Sequence, residues 1–210
     1  MRSASWVGTC RSTRRSCGPT STLPEHGTAA RATQGARANY KNLAVEPPDH
    51  AIGRSRGGRT TKIHLACDAS GKPLSLWLTG GNTNDTTELE AVLDRIRVPR
   101  PIGRPRTTPD RLIADKGYSS RVNRQLLAGR GIKVTIPERD DQKGHRLRRG
   151  PSGGRPYAFD AEIYRGRNVV ERCFSWLKHW RAIATRYDKK ATNYLGALTV
   201  ASLLLWVFRR

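Results

Sequence analysis

The sequence predicts an α/β fold with a mixed sheet flanked by helices. A strand hairpin of alternating apolar and polar residues is followed by helical and strand-like stretches in alternation. No internal repeat breaks that order. A chain of 210 residues has room for one or two layered domains. Its hydrophobic content of 36% sits below the roughly 45–50% of an average domain, so part of the chain is expected outside any core.

Residues 1–50 read as an irregular segment. They are rich in Ser, Thr, Gly, Ala and Arg, show no sustained period, and hold no Asp before Asp49. Residues 46–59 form a Pro/Gly/Arg loop. TKIHLACD (61–68) alternates Ile63, Leu65 and Cys67 with polar residues, and LSLWLTG (74–80) returns after the turn ASGKP, which predicts a β-hairpin. An amphipathic helix follows from Asn84 to Arg97, with Leu89, Val92, Leu93 and Ile96 on one side and Asn84 or Asp85 as cap. A stiff loop interleaves Arg97, Arg100, Arg104 and Arg106 with Pro99, Pro101, Pro105 and Pro109. RLIAD (111–115) is a short buried strand. Ser119 or Ser120 caps a helix to about Ala128, and IKVTIP (132–137) is another strand. Residues 138–158 read as a basic, Gly-rich loop, Asp160 opens a long helix to about Ala184, and Asn193–Val207 is the last helix. The apolar run Tyr194–Phe208 is shorter than the roughly 20 residues needed to cross a bilayer, so a buried C-terminal helix is expected rather than a membrane anchor.

Lys and Arg number 39 against 17 Asp and Glu, a formal charge of +22. So basic a balance points to a polyanionic partner, most simply nucleic acid. Cys10, Cys17, Cys67 and Cys173 form no CxxC pair, which argues for free thiols in a reducing cytoplasm rather than a disulfide or zinc scaffold. The first twenty residues lack the apolar run of a signal peptide.

Two features could carry chemistry. Asp115 ends a predicted strand just before Lys116, Gly117 and Tyr118, where α/β sheets place ligands; it could equally cap the next turn. In the helix after Asp160, Tyr164, Arg167, Glu171 and Lys178 fall between roughly 300° and 360° at about 100° per residue, one narrow polar stripe. Val169, Val170, Cys173, Trp176, Leu177 and Trp180 lie opposite, on the core face. The stripe reads either as an Arg167–Glu171 ion pair on a solvated face or as a carboxylate held ionised among cations that touch phosphates. One carboxylate on a strand and another on a distant helix suit a two-metal phosphoryl-transfer site, with Mg²⁺ as the hard cation and commonly a third carboxylate bridging.

The pattern Tyr164-x2-Arg167-x3-Glu171-x6-Lys178 resembles the Y-R-E-K signature of bacterial insertion-sequence transposases of the DDE class. Asp115 in IADKGYSS looks like the second carboxylate of that family. GRSRGGRTTKIHLACD and NVVERCFSWLKHWRAIATRYDK are also similar to family sequence, of the kind grouped as insertion-sequence families four and five. The resemblance covers about residues 28–208. It implies an RNase H-like catalytic domain over residues 51–210 and Mg²⁺- or Mn²⁺-dependent DNA strand cleavage and transfer. By it, Asp115 and Glu171 are metal ligands, and Tyr164, Arg167 and Lys178 contact or orient DNA near the cut. The implied partner is double-stranded DNA, both transposon ends and target, without a membrane. The complete protein is a candidate homodimer, and the implied setting is the bacterial cytoplasm at the nucleoid.

The amino end departs from the family. Its first catalytic Asp belongs to a V-D-S-T-like motif on the first, central strand, upstream of the hairpin, and no such motif stands here. Residues 9–22 (TCRSTRRSCGPTST) accept synonymous codons whose frame, displaced by two nucleotides, reads V-S-I-D-S-T-I-V-R-A-H-Q-H. The stretch therefore reads as translated out of frame, and the coding DNA tests this. The expectation is a domain whose first central strand is missing or degraded, with one of three metal ligands lost and catalysis impaired. The family's upstream DNA-binding segment is also not in the sequence, which reads as a truncated product.

Arg97–Arg106 and Arg139–Arg155 are the densest basic loops, and the net charge favours DNA contact over mere solvation, with Arg104, Arg106, Arg146, Arg148 and Arg149 as phosphate grips. The competing function is a non-catalytic, basic DNA-binding remnant, which has no use for Asp115 and Glu171. A ribosomal-type RNA binder has no reason for the Tyr164–Lys178 stripe.

Overall fold

The computed structural model describes residues 6–8, 48–55 and 58–208. The out-of-frame reading of residues 9–22 lies outside them. The frame of the molecule is the predicted hairpin, β3 (Gly58–Asp68) and β4 (Pro73–Gly80), antiparallel with His64 opposite Trp77. Two short strands also pair antiparallel with β3: β1 (Trp6–Gly8) at residues 66–68, on the edge away from β4, and β2 (Gly53–Ser55) at residues 58–60. β1 also lies against β5 (Arg111–Ile113), and β5 pairs in parallel with β6 (Lys133–Thr135).

Side chains on a strand alternate between faces, and here that alternation separates two cores. Ile63, Leu65 and Cys67 of β3 and Ile113 of β5 face one side. They are covered by α5 (Asn168–Leu177), through Val170, Cys173 and Leu177, and by α7 (Ala191–Phe208), through Tyr194, Leu198, Ala201 and Leu205. Ala66, Leu112 and Ala114 face the other side. There they meet Leu89, Val92 and Leu93 of α1 (Leu89–Leu93) and Leu127 of α2 (Arg121–Gly129). The result is a helix–sheet–helix sandwich, in keeping with the predicted α/β layering. Cys67 and Cys173 are both buried free thiols, and their contact, with burial, pushes the Cys67 thiol far up.

Several predicted elements differ in extent. The strands predicted at 111–115 and 132–137 shrink to β5 and β6. The helix expected over Asn84–Arg97 is a 3-10 turn (Asp85–Glu88) capped by the Asn84 side chain, followed by α1 alone. Val98 sits before Pro99, which disfavours helix, and it pairs instead with Arg106. The region 138–158, expected as loop, contains α3 (Asp140–Arg148). Asp140 and Asp141 in its first turn favour the helix dipole. None of its residues is buried, so no apolar period announced it.

The long helix from Asp160 to Ala184 is three pieces: α4 (Ala161–Arg165), α5, and α6 (Arg181–Ala184). Asp160 does cap the first, its side chain accepting from the Glu162 and Ile163 amides at 3.0 Å. Between α4 and α5, Gly166 and Arg167 keep helical dihedrals. The bonds tighten to three-residue spacing, Arg167 N to Tyr164 O at 2.9 Å and Val170 N to Arg167 O at 3.1 Å. The chain therefore turns without losing its winding, and Tyr164, Arg167 and Glu171 keep a common side. The second break is at Trp180, whose ψ of 116° is extended.

α7 is long and apolar enough by composition to cross a membrane. In this fold one face packs in the core, while Val200, Leu203 and Val207 on another are exposed.

Candidate active site

Asp115 follows β5 by two positions from Ile113, so it projects to the face that Ile113 faces, the one α5 covers. Glu171 sits in the first turn of α5, where the helix dipole favours a carboxylate. The two acids, remote in sequence, meet across one guanidinium: Arg167 Nη1 lies 3.4 Å from Asp115 Oδ2, and Arg167 Nη2 donates to Glu171 Oε1 at 3.1 Å. Arg167 and Glu171 side chains are about one-quarter exposed and Asp115 is 51% exposed, so the cluster opens to solvent at Asp115. The capping alternative for Asp115 is observed: its Oδ1 accepts from Lys116 N at 2.8 Å at the head of the following 3-10 turn (Lys116–Tyr118). The Arg167–Glu171 pair likewise forms, but as part of a three-residue cluster.

Tyr164 is the fourth member. Burial raises its hydroxyl above the usual tyrosine range, the Arg167 cation opposing and the Asp115 carboxylate adding to the rise. It remains a neutral donor, its ring 5.2 Å from that of Phe159. Lys178 caps the far end of α5, about 10 Å beyond Glu171 at ~1.5 Å per residue. It is half-buried and belongs to the same stripe.

The basic residues divide. α3 is pinned to the loop that follows Asp115: Ser119 Oγ donates to Gln142 Oε1 at 2.9 Å, and Gln142 Nε2 donates to the Ser119 carbonyl. Of its cations, Arg146 is engaged with Glu138 at 2.9 Å and Arg148 with His145 at 3.0 Å, while Arg149 is exposed at the helix end. Arg104 and Arg106 are at the opposite end of β5 and are not brought to the acids.

The supports of the loop after Asp115 had no signal in the local pattern. Thr86 Oγ1 donates to the Gly117 carbonyl at 2.7 Å, and Asn123 Nδ2 donates to the Thr86 carbonyl at 3.1 Å. They come from two elements that only the tertiary fold brings together.

A family model described as "Transposase DDE domain" matches residues 27–206. This chain belongs to that family. Among relatives, a protein of Burkholderia cepacia named as a transposase for insertion sequence element IS402 is 34% identical over 153 residues, 72% of this chain and 64% of the relative. The chain thus spans less than two thirds of that relative's length. A protein of Brucella ovis named as a transposase for insertion sequence element IS6501 is 26% identical over 148 residues, 70% of this chain and 98% of the relative. The helix–sheet–helix architecture is consistent with a DDE transposase domain.

No group of three or more His, Cys, Asp or Glu able to hold a metal ion occurs among the described residues. The chemistry of Asp115 and Glu171 suits a hard cation, since both offer carboxylate oxygens and Mg²⁺ is commonly bound through one or two carboxylates plus substrate phosphates.

Proposed function

We propose that this chain is a DNA transposase of an insertion sequence, cleaving and transferring DNA strands with Mg²⁺ or Mn²⁺ held by Asp115 and Glu171. The observation that carries the reading is the Arg167 bridge, which makes neighbours of two acids drawn from β5 and α5. When bound, the ion supplies polarisation of the phosphodiester and activation of the attacking oxygen. The residues do the rest. Arg167 balances the two carboxylates in the free protein and is free to turn its planar fork onto a phosphate when a cation takes over that balance. Tyr164, kept protonated, donates a hydrogen bond to a phosphate oxygen. Lys178, two turns along, and Arg148 and Arg149 on the docked α3 lay positive charge beside the cut, whereas Arg146 is spent on Glu138.

Family-level chemistry expects three acids, and two among the described residues favour impaired catalysis. That same observation is the ground for the second reading, a basic DNA-binding remnant. A nicking and strand-transfer assay on plasmid carrying the element's ends, in Mg²⁺ or Mn²⁺, decides between them. Metal-dependent nicking that is lost in Glu171→Gln and Asp115→Asn supports the enzyme. Salt-sensitive binding without nicking, unchanged in both variants, supports the remnant.

A further inference from the structure

At the end of β5 and β6 away from the acidic cluster, the loop after α1 and the start of β6 enclose an open cleft of about 710 Å³. Its walls are unusually well fixed for a loop. Val98 and Arg106 exchange both backbone bonds, at 2.9 and 2.8 Å. Gly103, at φ 90°, makes the reversal. Pro99, Pro101, Pro105 and Pro109 freeze their own φ angles.

The cleft has one acid among its lining residues, Asp110, and that acid is consumed. Arg106 pairs with it while its Nε donates to the Thr108 carbonyl at 2.9 Å. Arg106 is therefore a strut of the wall rather than a phosphate grip. Arg100, Arg104 and Lys133 remain, all exposed into the same cleft, with no acid in its lining left to balance them. Three cations held together on stiff backbone repel one another and have already lost chain entropy. A multiply charged anion with regularly spaced charges relieves that repulsion at little ordering cost.

We propose that this cleft is a second DNA contact, taking the phosphodiester backbone of a duplex through Arg100, Arg104 and Lys133. The chain from Asp110 to Asp115 covers roughly 16 Å at ~3.3 Å per residue of strand. The contact therefore grips DNA outside the reacting phosphate and is independent of base sequence. It rests on the proposed function only in naming DNA as the polyanion, and it requires no catalysis.

The test is binding of a labelled DNA duplex of arbitrary sequence to the full chain, in EDTA, across a salt series. Each phosphate contact contributes about 0.9 to the slope of log K against log salt. Arg104→Gln alone is expected to flatten the slope by about 0.9, and Arg100→Gln/Arg104→Gln/Lys133→Gln together by about 2.7. Thermal melting of the single variant, at an exposed position, guards against misfolding. An unchanged slope in the triple variant overturns the proposal, as does absence of duplex binding by the parent chain, or a flattening seen with an RNA duplex and not with DNA. Flattened slopes in a chain that fails the nicking assay leave this contact standing while the catalytic reading falls.

Discussion

Arg186 shows how one buried side chain ties remote segments. Its guanidinium donates to the His50, Asp188 and Lys189 carbonyls at 2.7, 2.8 and 2.6 Å and also to Thr61 Oγ1, and it lies over the Tyr194 ring. Removing it takes one donor away from three part-buried carbonyls and the buried Thr61 hydroxyl. Arg186→Ala is expected to lower unfolding stability by about 3 kcal/mol in urea titration. His64 sets a pH dependence. It is fully buried, with Nε2 2.7 Å from Thr79 Oγ1, and burial lowers its pKa below 6.5 against the opposing pull of Asp85 and Glu88. The unfolded chain therefore takes up the proton more readily below pH 6.5. Stability is complete above that pH and falls as pH drops from there toward the depressed folded value. A Tm series across this range checks it: the part of the acid loss that His64 carries disappears in His64→Gln. The strand-end place of Asp115 and the common stripe of Tyr164, Arg167 and Glu171 were legible in the sequence because spacing and strand ends are local, while their roles came only from the family resemblance. Arg186 and His64 were not, because their partners come from distant segments.

Elements were legible where a cap or an apolar period marked them. Ser120 accepts from the Asn123 amide at 3.1 Å and opens α2 where a cap was expected. Ser120→Ala is expected to cost about 1 kcal/mol, read from the denaturation midpoint. α3 was illegible because it is polar all round and owes its place to Gln142 on Ser119. The divided helix after Asp160 shows the converse: the polar stripe from Tyr164 to Lys178 runs through Gly166, and its common side survives although the hydrogen bonds there tighten to three-residue spacing. The turn of the β3–β4 hairpin reports on the same helix. Gly71 has φ 87°, and a Cβ there would stand 2.7 Å from Trp176 Cζ3 and 3.3 Å from Val169 Cγ1. Gly71→Ala therefore pushes on the helix that carries Glu171. It is expected to cost about 1–3 kcal/mol and to reduce nicking activity along with the melting temperature.

Across the whole molecule the sheet is the wall between two cores, and α7 closes one of them. Leu198 is fully buried in it. Leu198→Ala is expected to cost about 2–5 kcal/mol, with a cooperative loss of the β3–α5 packing visible by hydrogen exchange. This layering was predicted from alternation alone. The meeting of Asp115 with Glu171 was expected from the family resemblance, whereas local periods carry no information on which face a distant helix will cover.

The split between the two cores bears on how the protein is made. The hairpin, α1, α2, β5 and β6 are contiguous in sequence and share the core built around Leu112 and Leu127. The opposite core waits for α5 and α7 at the end of the chain. A nascent polypeptide emerging from the ribosome presents Asp115 before Glu171, so the Arg167-bridged pair of acids forms only after α5 has emerged.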